Sequence, residues 1–276
     1  MRVCRKLPAI TSNRFLGALT GLFITAMIQS SSATTVMVVS FVNAGLLNLT
    51  QAIGVIMGAN IGTTATAWII SLLGFKVEIS AFTIPMMAIG IPLIFSKKSN
   101  LNAIGEFIFG FALLFLGLEF LKNSMPDLQS SPEALAFLSK YTGMGYGSIL
   151  IFLLIGSVLT LIVQSSSAMV AITLVMCAQG WIPFHIGAAM ILGENIGTTI
   201  TANLAALSAN TTAKRAAFSH LLFNVFGVLW VLILFFPVTN LVASMVVSGG
   251  GADPRELYDY IGSLGSRFTS DQISLM

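Results

Sequence analysis

Gln29-Ser30-Ser31-Ser32-Ala33 recurs as Gln164-Ser165-Ser166-Ser167-Ala168, and Gly58-Ala59-Asn60-Ile61-Gly62-Thr63-Thr64 recurs as Gly193-Glu194-Asn195-Ile196-Gly197-Thr198-Thr199. In both cases the residue numbers differ by 135. The same offset aligns Gly21 with Gly156, Thr25 with Thr160, Gly45 with Gly180 and Thr66 with Thr201, so the chain is a duplicated unit with no insertion between its motifs. The repeated residues are hydroxyls, amides and glycines set in long apolar stretches, where a polar group without a partner is costly. Polar groups kept in pairs in such surroundings point to a binding site.

Hydrophobic residues make up 56% of the 276 positions and charged residues 8%, with a mean hydropathy of +0.93. Soluble domains carry about 25% charged residues, so the chain reads as an all-α, polytopic membrane protein. Its net charge of +3 is too small to imply a nucleic-acid partner, and the basic residues lie mostly in short runs between apolar segments, where they orient the chain. Cys4 and Cys177 sit in different settings and in no metal-ligand spacing. The thirteen methionines read as core filler. Met1-Arg2-Val3-Cys4-Arg5-Lys6-Leu7-Pro8 is basic, but no separate apolar core with a cleavage site follows it. The first apolar run is therefore expected to belong to the mature protein.

Phe15–Ile28 and Ala168–Ile182 fall short of the roughly 20 residues a full crossing needs, and each flanks a Gln-Ser-Ser-Ser. This predicts a re-entrant helical hairpin in each copy with the polar motif at its tip, since non-helical backbone at membrane depth survives only when buried in protein or lining a cavity. Each Gly-x-Asn-Ile-Gly-Thr-Thr is expected to break the transmembrane helix that follows, freeing amides and carbonyls as ligands. Lys and Arg favour cytoplasmic loops. With Arg2, Arg5, Lys6 and Arg14 inside, a hairpin over 15–47 enters and returns, Ala52–Phe75 crosses outward and Ala81–Phe95 returns to Lys97-Lys98. Ala103–Leu121 then crosses outward, the second hairpin enters from outside, and Ile186–Leu207 crosses inward to Lys214-Arg215. The two copies thus form inverted-topology repeats. Residues 1–98 are the first repeat, expected to lack its leading helix; 99–247 are the second, with that helix; and 248–276 are a polar C-terminal tail. Asn123–Gly147 reads as the linker, and whether Ala216–Val247, with Pro237, crosses once or partly returns stays open.

Both motifs, in both copies and in this order, resemble the sodium/phosphate cotransporter family, the type II sodium-phosphate carriers and their bacterial relatives, over about residues 10–235. The resemblance implies that the Gln-Ser-Ser-Ser stretches meet near mid-membrane and hold phosphate and sodium. It also implies sodium-coupled symport of inorganic phosphate by alternating access, driven by the inward sodium gradient, with the protein in the cell (inner) membrane. On this basis phosphate is expected at Ser31, Ser32, Ser166 and Ser167. Sodium is expected at Gln29, Ser30, Asn60, Thr63, Thr64, Gln164, Ser165, Asn195, Thr198 and Thr199. The chemistry of these groups agrees: amide and hydroxyl oxygens suit a hard cation without a fixed charge, and serine hydroxyls beside helix N-termini suit an anion. Neither motif contains Arg or Lys, so neutralising phosphate would fall to sodium. Glu194, where the first copy has Ala59, is the one charge within a motif; it reads either as a coupling group or as a structural partner of a neighbouring Asn or Ser.

Other readings stay open. Serines in membrane helices also bond back to the preceding turn or pack small faces together. A carrier of another oxyanion or a carboxylate would use the same groups, and a non-transporting, phosphate-sensing regulator would too. His185 and His220 lack a second ligand at metal spacing and read as satisfied or interfacial residues. Asn48-Leu49-Thr50 and Asn210-Thr211-Thr212 match a glycosylation pattern but fall on the expected cytoplasmic side. The chain carries no Ser/His/Asp constellation, no Walker-type lysine motif and no paired intramembrane carboxylates, so it is not expected to be an enzyme. The expected partners are phosphate, sodium and the lipid bilayer, with self-association open.

Overall fold

A computed structural model describes residues 13–74, 80–124 and 140–255. The basic start, most of the linker and the tail beyond Arg255 lie outside the described residues. The described residues form ten helices and contain no strand: α1 Arg14–Ile28, α2 Ser31–Asn43, α3 Leu49–Gly74, α4 Ser80–Ile94, α5 Ser99–Ser124, α6 Tyr146–Val163, α7 Ser166–Ala178, α8 Phe184–Ala205, α9 Thr211–Ile233 and α10 Phe235–Ser248. Among the described residues, four segments are long and apolar enough to cross a membrane: Leu49–Ser71, Ser99–Leu121, Tyr146–Val163 and Thr211–Ile233. Large apolar side chains on the outer faces remain uncovered, as with Phe15 at 82% and Met27 at 84% exposure. Such surfaces suit lipid.

The chain divides into two compact units, Met1–Thr66 with Pro132–Met276, and Ala67–Ser131. In the smaller unit α4 packs along α5, with the Asn102 amide donating to the Ile94 carbonyl across the intervening loop. The larger unit holds both motif pairs. One apolar cluster joins Val38, Val39 and Val42 of α2 to Val55 and Ile56 of α3 and to Ala213, Ala216 and Ala217 of α9. A second joins Ile149 and Phe152 of α6 to Ile186 and Met190 of α8 and to Phe235. The long apolar run after Lys214 is not one helix: α9 ends at Ile233 and α10 begins at Phe235, which puts Pro237 in a first turn, where its missing N–H costs least.

The helix breaks fall at the polar tips. α1 ends and α2 begins around Gln29-Ser30, and α6 ends and α7 begins around Gln164-Ser165. Gly-x-Asn-Ile-Gly-Thr-Thr, by contrast, breaks nothing, contrary to the sequence expectation, because α3 and α8 run through it without interruption. The glycines serve close approach instead. A Cβ at Gly58 would overlap the Ala18 carbonyl of α1, and one at Gly193 would overlap the Leu153 carbonyl of α6; at Gly62 and Gly197, one turn on, it would also come too close, to the Leu22 and Ser157 carbonyls, though less severely. This is the Gly-x-x-x-Gly contact by which membrane helices bring their backbones together. A glycine costs a helix only about 1 kcal/mol, whereas each backbone group freed in an apolar interior costs more, so the helix stays intact.

Candidate functional site

Each hairpin tip is built from the same two devices. Gln29 and Gln164 close α1 and α6 in the left-handed conformation, at φ 59° and 55°, each sending its backbone N–H to the carbonyl of Thr25 or Thr160. Ser30 and Ser165 then open α2 and α7 as N-caps, their hydroxyls accepting from the backbone N–H of Ala33 and Ala168 at 3.2 and 3.3 Å. A left-handed residue without glycine's freedom costs about 1–2 kcal/mol. At the end of α2 and of α7 the same need is met by glycine, with Gly45 at φ 71° and Gly180 at φ 72°. Both tips thus carry glutamine where glycine would be less strained. The Gln29 amide donates to the Ala26 carbonyl, and its oxygen accepts from the Thr66 hydroxyl at 2.6 Å.

The tips meet. The Ser167 hydroxyl lies 3.5 Å from the Gln29 carbonyl, at the outer limit of a hydrogen bond. Ser31 is buried, while Ser32, Ser166 and Ser167 are half-buried. The first turns of α2 and α7 begin at Ser31 and Ser166, next to this contact.

The second motif contributes differently in each copy. Asn60 of α3 donates to the Asn224 side-chain oxygen of α9 at 2.7 Å, and its own oxygen lies 3.0 Å from His220 Nε2. Because that oxygen can only accept, His220 Nε2 carries the proton. Asn224 in turn donates to the His220 carbonyl at 2.9 Å. Asn195, the counterpart of Asn60, is exposed. Thr63, Thr64, Thr198 and Thr199 donate their protons to carbonyls within their own helices, from Ala59, Ile61, Glu194 and Ile196. Thr64 is exposed, whereas Thr199 is fully buried.

Glu194, only 1% exposed, accepts from the Thr173 hydroxyl of α7 at 2.7 Å through Oε1, while Oε2 has no hydrogen-bond partner. Of the two sequence readings, a tie to a neighbouring hydroxyl is thus present, but from Thr173 rather than from an Asn or Ser.

A family model described as Na+/Pi-cotransporter matches residues 1–123 and 134–248. The chain belongs to the Na+/Pi-cotransporter family. It is 31% identical over 223 residues to the "Putative inorganic phosphate export protein YjbB" of Salmonella typhimurium, covering 80% of this chain and 39% of that protein. It is 32% identical over 247 residues to the "Uncharacterized protein YqeW" of Bacillus subtilis, covering 88% of this chain and 76% of that one. A 65-residue stretch is 48% identical to "Sodium-dependent phosphate transport protein 2A" of Ovis aries, covering 24% of this chain and 10% of that protein. The chain thus spans about two fifths of the length of the Salmonella relative. No solved structure matches it.

Within this member of the family, Gln29 of one tip and Ser167 of the other come together, whereas Asn60 lies in a separate polar cluster with His220 and Asn224. Sequence reading passed over Asn224, Thr66 as a partner of Gln29, and Thr173. Thr66 carried a usable signal, since it aligns with Thr201 at the repeat offset. His220 was read as a satisfied or interfacial residue; it is buried, its Nε2 is paired with Asn60, and its Nδ1 has no hydrogen-bond partner.

Proposed function

We propose that the chain carries inorganic phosphate across the cell membrane together with sodium, a transported co-substrate, by alternating access, with phosphate held between the two hairpin tips. The observation that carries this reading is the 3.5 Å approach of the Ser167 hydroxyl to the Gln29 carbonyl, which joins the two Gln-Ser-Ser-Ser stretches. Phosphate would take the hydroxyls of Ser31, Ser32, Ser166 and Ser167 and the N–H groups that open α2 and α7. Sodium would take the oxygens of Gln29, Gln164 and nearby threonines, their lone pairs left open by protons already donated. Two helix ends supply about half a unit charge each, too little for an anion of charge between about −1 and −2, so a cation must accompany it.

Two contacts support hairpins that enter from opposite faces. Asn43, at the return of the first hairpin, accepts from the Asn210 N–H at 2.7 Å, in the loop before Lys214-Arg215. Tyr146, at the mouth of the second hairpin, packs edge-on against Phe236 just past α9, with ring centroids 5.0 Å apart. The expected topology puts the first pair inside and the second outside. Asn48 and Asn210 serve as helix caps, Asn48 with Gln51 at α3 and Asn210 at α9.

Reconstituted protein in vesicles should move labelled phosphate with an imposed sodium gradient, inward or outward as the gradient is reversed, and excess sulfate should not compete. Flux that ignores sodium would reject the coupling, and equal inhibition by sulfate would shift the reading to a general oxyanion carrier. In a cysteine-free background, a cysteine at Met144 should react with an impermeant thiol reagent added outside and one at Thr212 should not. Labelling of both from one side would reject the inverted arrangement.

A further inference from the structure

α1 and α3 run parallel from a common end, with Gly17 against Gly54, Gly58 against Ala18 and Gly62 against Leu22. Beside this contact lies a groove of about 420 Å³, a volume within the range of small-ligand sites, about 300–1,000 Å³. Among the described residues its wall is apolar, with Phe15, Ile53, Gly54 and Met57, and its polar residues are Arg14 and Thr50. Arg14 opens α1 and Thr50 follows the first residue of α3, so the polar end of the groove is the shared start of the two helices. From Thr50 to Met57 the wall runs about 10 Å along α3.

The second copy closes the same place. At the repeat offset Arg14 becomes Ile149 and Gly54 becomes Ala189, both 0% exposed, in the apolar cluster that includes Phe235, and Met57 becomes Leu192, packed against that cluster. In the first copy Arg14 is exposed, as are Phe15 and Met57. An apolar surface in a membrane protein says little by itself. Here a cation stands where the other copy has a core isoleucine, and a cation with an apolar slot behind it matches an amphiphile with a negative head.

The charge at this end has one sign. Asp and Glu are absent before Glu78, whereas Arg2, Arg5, Lys6 and Arg14 precede it. Among the described residues no carboxylate pairs with Arg14. The starts of α1 and α3 add the positive ends of two helix dipoles. Asn43, shortly before α3, holds the loop that leads into Lys214-Arg215, which brings further positive charge to this face.

We propose that this groove binds an anionic glycerophospholipid from the leaflet on the Arg14 side, with one acyl chain along Phe15, Ile53 and Met57 and the phosphodiester at Arg14 and Thr50. A guanidinium can hold two phosphate oxygens at once, and the Thr50 hydroxyl can donate to another. Basic pockets between membrane helices favour such headgroups. A zwitterionic lipid brings its own cation to the same end, and free phosphate has no chain for the wall, so both bind less well.

Native mass spectrometry of the purified full chain in detergent, titrated with phosphatidylglycerol or with phosphatidylcholine of the same acyl chains, tests this without phosphate flux or sodium. The wild-type chain should retain phosphatidylglycerol about fivefold more strongly, as one basic residue at an anionic surface is worth. Arg14→Gln should bring that ratio close to unity, and Arg14→Lys should keep most of it. Met57→Trp, which fills the groove from an exposed position, should weaken the phosphatidylglycerol adduct with the charge intact. Arg215→Gln removes an equal charge from the same face, outside the described lining, and should leave the ratio unchanged. Excess inorganic phosphate should not displace the lipid. Equal retention of the two lipids by the wild-type chain, a ratio unmoved by Arg14→Gln, an equal loss in Arg215→Gln, an adduct unaffected by Met57→Trp, or displacement by phosphate would overturn the proposal.

Discussion

The two halves of the duplicated site share a backbone and differ in side chains. Both tips use a left-handed glutamine followed by a capping serine, and both second motifs use two glycines one turn apart to press a long helix against a hairpin limb. Around this common frame the polar partners diverge. In the first copy Thr25 donates to Thr34 at 3.0 Å, Gln29 accepts from Thr66, and Asn60 is locked by Asn224 and His220. In the second, Met169 replaces Thr34 and leaves the buried Thr160 hydroxyl without a partner, Gln164 and Asn195 are exposed, and polarity moves to Glu194 and Thr173. What the copies hold in common is the frame both tips are built on; what separates them is the set of polar partners around it.

The largest effect is expected where the frame is shared. Gly58→Ala and Gly193→Ala each drive a methyl into a facing carbonyl and should cost about 1–3 kcal/mol in thermal unfolding of the purified protein, by similar amounts in the two copies. Gly227, with open space around it, is the control: Gly227→Ala should be neutral or gain up to about 1 kcal/mol. A loss in one copy alone would show that the duplicated contact is not equivalent.

A difference between the copies is expected at the asparagines. Asn60→Ala strands the His220 Nε2 proton and the Asn224 oxygen and should cost about 1–3 kcal/mol, whereas Asn195→Ala at an exposed position should stay within about 0.5 kcal/mol. Equal losses would mean that Asn195 has a partner of its own in the working protein.

The smallest change in stability, with a large change in function, is expected at the tips. Gln29→Gly and Gln164→Gly relieve a left-handed backbone while losing a side chain, so unfolding should move by less than about 1 kcal/mol. Sodium activation of phosphate flux should weaken in both. Wild-type sodium dependence in both variants would remove the glutamines from the ion site.

Membrane class, the repeat and the hairpin tips were legible because they rest on composition, offset and length. The short apolar runs before Gln29 and after Ser167 are helices of 15 and 13 residues, whereas α6, the other limb of the second hairpin, is long and apolar enough to cross a membrane. The continuity of α3 and α8 was not legible. A glycine's neighbours in sequence suggest a break, while its neighbours in space, Ala18 and Leu153, decide for close packing. The Asn60 cluster was hidden for a related reason, since its partners lie 160 and 164 residues away and have no counterpart in the repeat. Glu194 stood out at once as the one charge in a motif, but Thr173 as its partner needed the α7–α8 contact.

Calorimetry of phosphate binding to the purified protein, with sodium present and with sodium replaced by potassium or choline, tests the joint site at the two tips most directly. Phosphate affinity should fall strongly without sodium, and by linkage phosphate should tighten sodium binding by the same factor. Ser32→Ala and Ser167→Ala, one from each tip, should each weaken phosphate in sodium by about 0.5–1.5 kcal/mol. Equal phosphate affinity with and without sodium would contradict the account, because an anion held by serines and two helix ends would then be balanced by something other than the cation assigned to it.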